Sequence, residues 1–308
     1  MAAPTGRKMA APALEQLLTE LLEPDSAGIR QATARLREAL EEPQTPRGLA
    51  ELLREAERPQ VRHLAALLLR RLVRKLPPEL LERLPQVLVE ALDQETDPPT
   101  RGALGQLGAR LLLLGGPRLW EPLQEWLHRA ARDPHKQEGA LRVLGVAVGV
   151  AGPALSGRGP ALAGLCRGGL RPGAAPGAAA AALAALGELA PLLGRARPEL
   201  LRSLVPDILR ALQDLLNVDE DCAANALEVL DEFLEANPNS LIPHLRPMLE
   251  LLPSGKAKKK KNLCFRLEIW EFQLQKWTFL APKQSGHQVY PLKAMGETET
   301  PGLPIERR

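Results

Sequence analysis

The residues able to ligate a metal or attack a substrate are few: five histidines (His63, His128, His135, His244, His287) and three cysteines (Cys166, Cys222, Cys264). His128 and His135, with Asp133 between them, come nearest to a metal set. A turn separates the two rings, however, and a structural metal site needs four suitable donors, so a solvated turn is the expectation there. Cys166 and Cys222 lie in apolar helical contexts that suit core fillers better than nucleophiles. The sequence has no G-x-x-x-x-G-K-[ST], no G-x-S-x-G, no H-E-x-x-H, and no glycine fingerprint following a strand. Phosphate cradles, serine elbows and zinc-protease helices are therefore missing. The sequence predicts no enzyme: no catalytic residue, no cofactor and no metal.

Charge offers more. A basic stripe runs through His63, Arg70 and Arg74 at spacings of seven and four, flanked by Arg62, Arg71 and Lys75. It is either the polar face of an amphipathic helix or a docking face for an acidic partner. An acidic stretch holds Asp219, Glu220, Asp221, Glu228, Asp231, Glu232 and Glu235, with no Lys or Arg among them. On a helix, Asn225, Glu228, Glu232 and Glu235 share a face opposite Leu227 and Leu230. Like charges at these spacings cost a few tenths of a kcal/mol per pair, a cost that an electropositive partner offsets. Residues 219–221 would also favour a helix N-terminus, which those at 228–235 cannot do. The third block, Lys256-Ala257-Lys258-Lys259-Lys260-Lys261, taken alone is like a nuclear localisation signal or a nucleic-acid patch. We read it as part of a divergent tail, and expect no specific nucleic acid as partner.

The elements that position these charges are helices. Of 308 residues, 45% are apolar and only 3% aromatic. Twelve Val and five Ile leave Leu and Ala to carry the apolar content, and these favour helix over strand. Twenty-nine Pro and 25 Gly exclude one long coiled coil and point to many short helices. The cysteines have no paired spacing, which suits a reducing compartment. The first 25 residues lack the apolar core of a secretory signal, and the uncharged runs 143–157 and 172–187 are short for a membrane span. The expectation is a soluble intracellular chain with no membrane insertion.

The chain also changes character along its length. Residues 256–308 hold eleven basic and five acidic residues, leaving 29 basic against 32 acidic in 1–255. Six of the nine aromatics fall after residue 263. We place an extension without stable structure at 1–12, a repeat body at 13–252 and a divergent basic, aromatic and poorly ordered tail at 253–308. Met-Ala-Ala-Pro occurs at Met1 and again at Met9, so either is a plausible start.

The body parses into helix pairs, approximately 13–42, 46–76, 79–114, 117–150, 159–193 and 198–236, with a seventh first helix at 239–252. Second helices of the early pairs open on turn signals: Asp25, Arg58-Pro59, Asp97-Pro98 and Asp133-Pro134. Asp caps a helix start and Pro is tolerated in its first turn. Arg30, Arg62, Arg101 and Arg142 then recur, each near a small Ala. Helix 59–76 carries Val61, Leu64, Ala65, Leu68, Leu72 and Leu76 on one face, and helix 221–236 does the same with Leu227, Leu230 and Leu234. The fifth pair reads as the weakest, interrupted by Gly168-Gly169, Pro172-Gly173 and Pro176-Gly177, with Ala178–Ala185 supplying little bulk. A single pair cannot bury its apolar face, but stacked pairs form one core. The fold class is all-α, a HEAT or armadillo-type α-solenoid of about six to seven helix pairs.

Residues Leu14–Leu18, Ile29–Thr33 and Val61–Lys75 resemble the N-terminal domain of the importin-β family, in which a V-R-x-x-A-x-x-x-L helix leads into a basic stretch. The importin N-terminal-like region is about 26–96, and the resemblance continues through Ala226–Leu234 to about residue 252. The family carries near twenty HEAT repeats, so the chain matches its N-terminal third. The resemblance implies a nuclear import receptor found in cytoplasm and nucleus, with nucleoporins among its partners. Its early second helices would grip the small GTPase Ran in the GTP form through Arg62, His63, Arg70, Arg71, Arg74 and Lys75. Asn225, Glu228, Asp231, Glu232 and Glu235 would face basic cargo such as ribosomal proteins or histones. The alternative is a HEAT scaffold that assembles another complex without Ran.

Overall fold

The structure is a computed structural model and describes residues 11–23, 26–218, 222–223 and 226–250. Among these there is no strand. Thirteen α-helices are bounded among the described residues: α1 (Ala11–Glu20), α2 (Ser26–Ala39), α3 (Thr45–Glu55), α4 (Pro59–Leu72), α5 (Pro78–Gln94), α6 (Pro98–Gly115) and α7 (Pro117–Ala130). Then come α8 (Gln137–Ala151), α9 (Gly159–Gly169), α10 (Pro176–Ala196), α11 (Pro198–Val218), α12 (Glu228–Ala236) and α13 (Leu245–Glu250). Odd-numbered helices form one layer, in which α1, α3, α5 and α7 stack in sequence. The other layer stacks α4, α6, α8, α10 and α12. Between them lies one continuous core of Leu, Ala and Val, with Trp120, Trp126 and Phe233 as its largest side chains. This is the α-solenoid that the leucine periodicity predicts.

Local chemistry explains most boundaries. Asp97 caps α6: its Oδ2 accepts from the Thr100 amide at 2.9 Å and from Thr100 Oγ1 at 2.6 Å. These bonds hold the Asp97 carboxyl below the ordinary aspartate range. The other expected Asp-Pro start fails. Asp133 turns back on its own loop, accepting from the His135 amide at 2.9 Å, and α8 begins at Gln137. Asp25 lies outside the described residues. Gly116 links α6 to α7 with φ at +64°, a conformation that a side chain would strain.

Four readings need correction. First, prolines do sit inside helices, at Pro85, Pro122, Pro191 and Pro206. Each removes one backbone hydrogen bond, and packing on both sides of the helix holds the rest together. Second, α4 ends at Leu72 in a 3-10 turn, Val73–Lys75, and its buried face is Val61, Ala65, Ala66, Leu68 and Leu69. Leu64 and Leu72 are only half-buried. Third, α10 is no weak element. It is 21 residues long and packs against α8, α9, α11 and α12. Its alanines permit close approach: a Cβ on Gly145 of α8 would meet the Ala185 Cα at 3.4 Å. Fourth, the segment after α12 is not one helix. Two 3-10 turns, Pro238–Ser240 and Ile242–His244, precede α13, with Leu241 and Met248 buried. The tail reading falls outside the described residues.

Two stretches, Gln137–Gly169 and Pro176–Ala196, are long and apolar enough to cross a membrane. The first stretch is not one helix, however: the 3-10 segment Gly152–Arg158 separates α8 from α9, and the two lie in different layers. More than half of each stretch is buried against other helices, as in the core helices of a stacked repeat.

Candidate partner-binding surface

The arginines that recur at the second-helix starts do different work from one another. Arg62 in α4 makes a forked ion pair with Glu95, Nε to Oε2 at 2.7 Å and Nη2 to Oε1 at 2.9 Å. Its Nη1 donates to the carbonyls of Ala56 and Glu57 at 2.8 and 2.9 Å. The Glu95 side chain is 1% exposed. Burial pushes its carboxyl up, but Arg62 and the amides of Asp97 and Thr96 outweigh burial and hold it below the usual range. Arg101 donates to the Glu95 carbonyl at 3.0 Å through Nε and 2.5 Å through Nη2. Together these side chains stitch the second pair to the third. With its donors committed, Arg62 has little left to offer a partner.

The remaining basic residues also divide. His63 is half-buried with Nδ1 unpartnered. Arg70 is half-buried and donates to the Gln106 side-chain carbonyl of α6. Arg71, Arg74 and Lys75 are exposed at the end of α4 and in the 3-10 turn that follows. One linear stripe in the sequence is thus two sets in the fold. Arg62 and Arg70 bridge repeats, while Arg71, Arg74 and Lys75 form an open cationic edge.

On the acidic side, Glu228, Glu232 and Glu235 are exposed on α12 and Asp231 is half-buried. Asn225 lies outside the described residues. Leu227, Leu230 and Leu234 are buried on the opposite face, as the helix pattern requires. The structure adds a residue that sequence reasoning missed. Glu188 of α10 is exposed beside this group. The Glu232 carboxyl is pushed above the usual range, first by burial and then by Glu235, Glu188, Asp231 and Glu228. Glu188 is the lone acid in an alanine-rich helix, so only the register between α10 and α12 reveals it. Among the described residues no ion pair holds Glu188, Glu232 or Glu235.

Burial pushes the Cys166 thiol up to about 12, which suits a core filler. Cys222 is half-buried. No three His, Cys, Asp or Glu side chains among the described residues are grouped to hold a metal. His128 and His135 belong to that description.

No family model matches the sequence. Importin-4 of Homo sapiens is 33% identical over 297 residues, covering 91% of this chain and 27% of that protein. Importin-4 of Mus musculus is 35% identical over 299 residues, with the same coverage. The chain spans about a quarter of the length of these curated relatives. A match to 91% of the chain cannot end at residue 252, so it takes in the Lys256–Lys261 run and part of the aromatic tail. The resemblance thus runs past residue 252 and across the change in composition there. Among solved structures, Kap121p superposes with a TM-score of 0.67 at 20% identity, over 79% of this chain and 24% of its own. Kap121p bound to Nup53p gives 0.66 at 20% identity, over 80% and 25%. Kap121p bound to Pho4p gives 0.65 at 20% identity, over 79% and 24%.

Proposed function

From a chain that belongs to the importin-β family and resembles the N-terminal part of importin-4, we propose the N-terminal portion of a nuclear import receptor that binds two kinds of partner through its second-helix layer. The basic edge, Arg71, Arg74 and Lys75 with His63 and Arg70 beside it, docks Ran in its GTP form. The acidic face, Glu188, Glu228, Asp231, Glu232 and Glu235, takes basic cargo of the ribosomal-protein or histone kind. The receptor moves between cytoplasm and nucleus. It engages nucleoporins, a reading helped by the Kap121p structure with Nup53p. Catalysis has no part in this activity.

The observation that carries the reading is the separation of opposite charge on one layer. Cations are left exposed at the α4 end, and carboxylates crowd one another at the α12 end. A fold seeking only stability would mix these signs, since like charges side by side are unfavourable.

A pull-down with Ran locked in the GTP form against the GDP form tests the first half. Reversing Arg71, Arg74 and Lys75 to Glu should weaken capture of the GTP form about tenfold or more. Helical content should be unchanged, because exposed substitutions usually move stability by about 0.5 kcal/mol or less. Equal capture of both nucleotide forms by the parent chain would instead favour a scaffold without Ran. For cargo, Glu228, Glu232 and Glu235 replaced by Gln should weaken binding to a core histone and flatten its salt dependence, since exposed contacts are screened over about 8–10 Å. Parent-like binding at low salt would make the acidic face an ordinary solvated one.

A further inference from the structure

Four close approaches fix the register of the second helices. Arg70 of α4 reaches Gln106 of α6, and Gly105 of α6 lies against Val143 and Val146 of α8. A Cβ on Gly149 of α8 would sit 2.9 Å from Glu188 Oε2 of α10, and one on Gly187 would sit 3.6 Å from the Glu232 Cγ of α12. About one turn beyond the first two contacts come Arg74, Arg110 and Val150. Five residues therefore fall at a common level, Arg74 from the 3-10 turn that follows α4 and Arg110, Val150, Glu188 and Glu232 from the next four helices of the layer. Read across the layer, the row runs positive, positive, apolar, negative, negative.

All five reach solvent: Arg74, Val150, Glu188 and Glu232 are exposed, and Arg110 is half-buried. Val150 is 43% exposed, and Leu113, one turn beyond Arg110, is 45% exposed. Among the described residues none of the four charged groups is in an ion pair. A helix face normally neutralises its charges locally. Here the opposite charges are held apart by the α8 step and cannot reach each other.

We propose that this row docks one extended peptide segment of reversed polarity, with an acidic block over α4 and α6, an apolar residue over Val150 and a basic block over α10 and α12. It rests on the reading of the second-helix layer as the partner-binding surface, and narrows the cargo to segments carrying both charge blocks. Adjacent helices pack about 8–10 Å apart, so the centres of the two charge pairs, three steps apart, lie about 24–30 Å from each other. An extended chain covers about 3.3–3.6 Å per residue, which sets the two blocks about seven to nine residues apart. A segment with only a basic block engages half the row. Linking the second block adds its contacts with no second association cost.

The test uses the full chain and three fluorescent peptides of equal length. One carries four Glu and four Lys with block centres nine residues apart and a central Leu. The second has the same composition with the blocks adjacent, and the third has the Lys block alone. In fluorescence anisotropy at low salt, the spaced peptide should bind about tenfold tighter than either control, as expected if two or three exposed charge contacts are added. Arg110→Glu and, separately, Arg74→Glu should remove that advantage while leaving the Lys-only peptide unaffected, with circular dichroism confirming the fold. If the Lys-only peptide binds as tightly as the spaced one, the inference fails and the basic-cargo reading survives. If the advantage persists in both arginine variants, the acidic block lies elsewhere and the row is refuted. If no peptide binds at low salt, the row and the basic-cargo reading fall together.

Discussion

Glu95→Ala should lower the stability of the stack by about 3 kcal/mol, the largest effect of any single charged residue in the described fold. The reason is what stays behind. Truncating one partner of a buried ion pair costs about 3–5 kcal/mol, because the surviving charge keeps its desolvation without its counter-charge. Arg62 is 17% exposed, so water reaches its edge and the lower end of that range applies. The same variant also uncaps the amides of Thr96 and Asp97, which donate to Glu95 Oε1 at 3.0 and 2.9 Å. The effect has a pH signature. The Glu95 carboxyl is held below its unfolded value, so its contribution is complete above the ordinary glutamate range, near pH 4.3. It is lost as pH falls through the lower folded value. Urea unfolding of parent and variant should therefore differ most at neutral pH and converge under acid. A difference below about 1 kcal/mol at pH 7, or one that widens under acid, would show that the stitch between pairs two and three is incidental.

Glu95 also marks where sequence reading stops. The repeat was legible because it rests on local rules: leucines three and four apart, and Asp97 capping α6 through Thr100. The recurring arginine was legible as well, but not its use. Arg62 read as a surface cation on account of its neighbours Arg70, Arg71 and Arg74. Its true partner lies 33 residues on, at the end of α5. A charged residue beside a turn is usually solvated, so nothing local gave notice that Glu95 is buried.

The candidate surface divides in the same way. Glu228, Glu232 and Glu235 were legible because one helix carries them, and helical spacing alone puts them on one face. Glu188 and Arg110 were not, because neither has another charge within six residues of it along its own helix. Their neighbours come from other repeats, through a register that close packing sets. The misjudgement of α10 has the same origin. Alanine and glycine read as missing bulk, yet their value lies in how near they let α8 and α12 come. Gly194 shows the limit of this: a Cβ there would meet the Ala236 carbonyl oxygen at 2.7 Å.

That dependence of the acidic face on packing leads to the second large effect. Phe233→Ala should release α12 from the stack. The ring is fully buried and is the bulkiest side chain of a nine-residue helix that packs on α10. Removing it loses transfer energy and leaves a cavity, together about 3–5 kcal/mol. In a solenoid each repeat touches only its neighbours, so the loss should stay local rather than spread. Amide hydrogen exchange should accelerate about a hundredfold or more across residues 228–236 while α3 to α8 keep their protection. Histone binding should fall at least as far as in the Gln variant, although every carboxylate is still present. That comparison separates position from charge: the acids attract a partner only when α12 holds them beside Glu188. Uniform acceleration from α3 to α12 would mean that the pairs unfold as one unit. Unchanged protection of α12 would mean that Leu230 and Leu234, both buried, suffice to hold it without the ring.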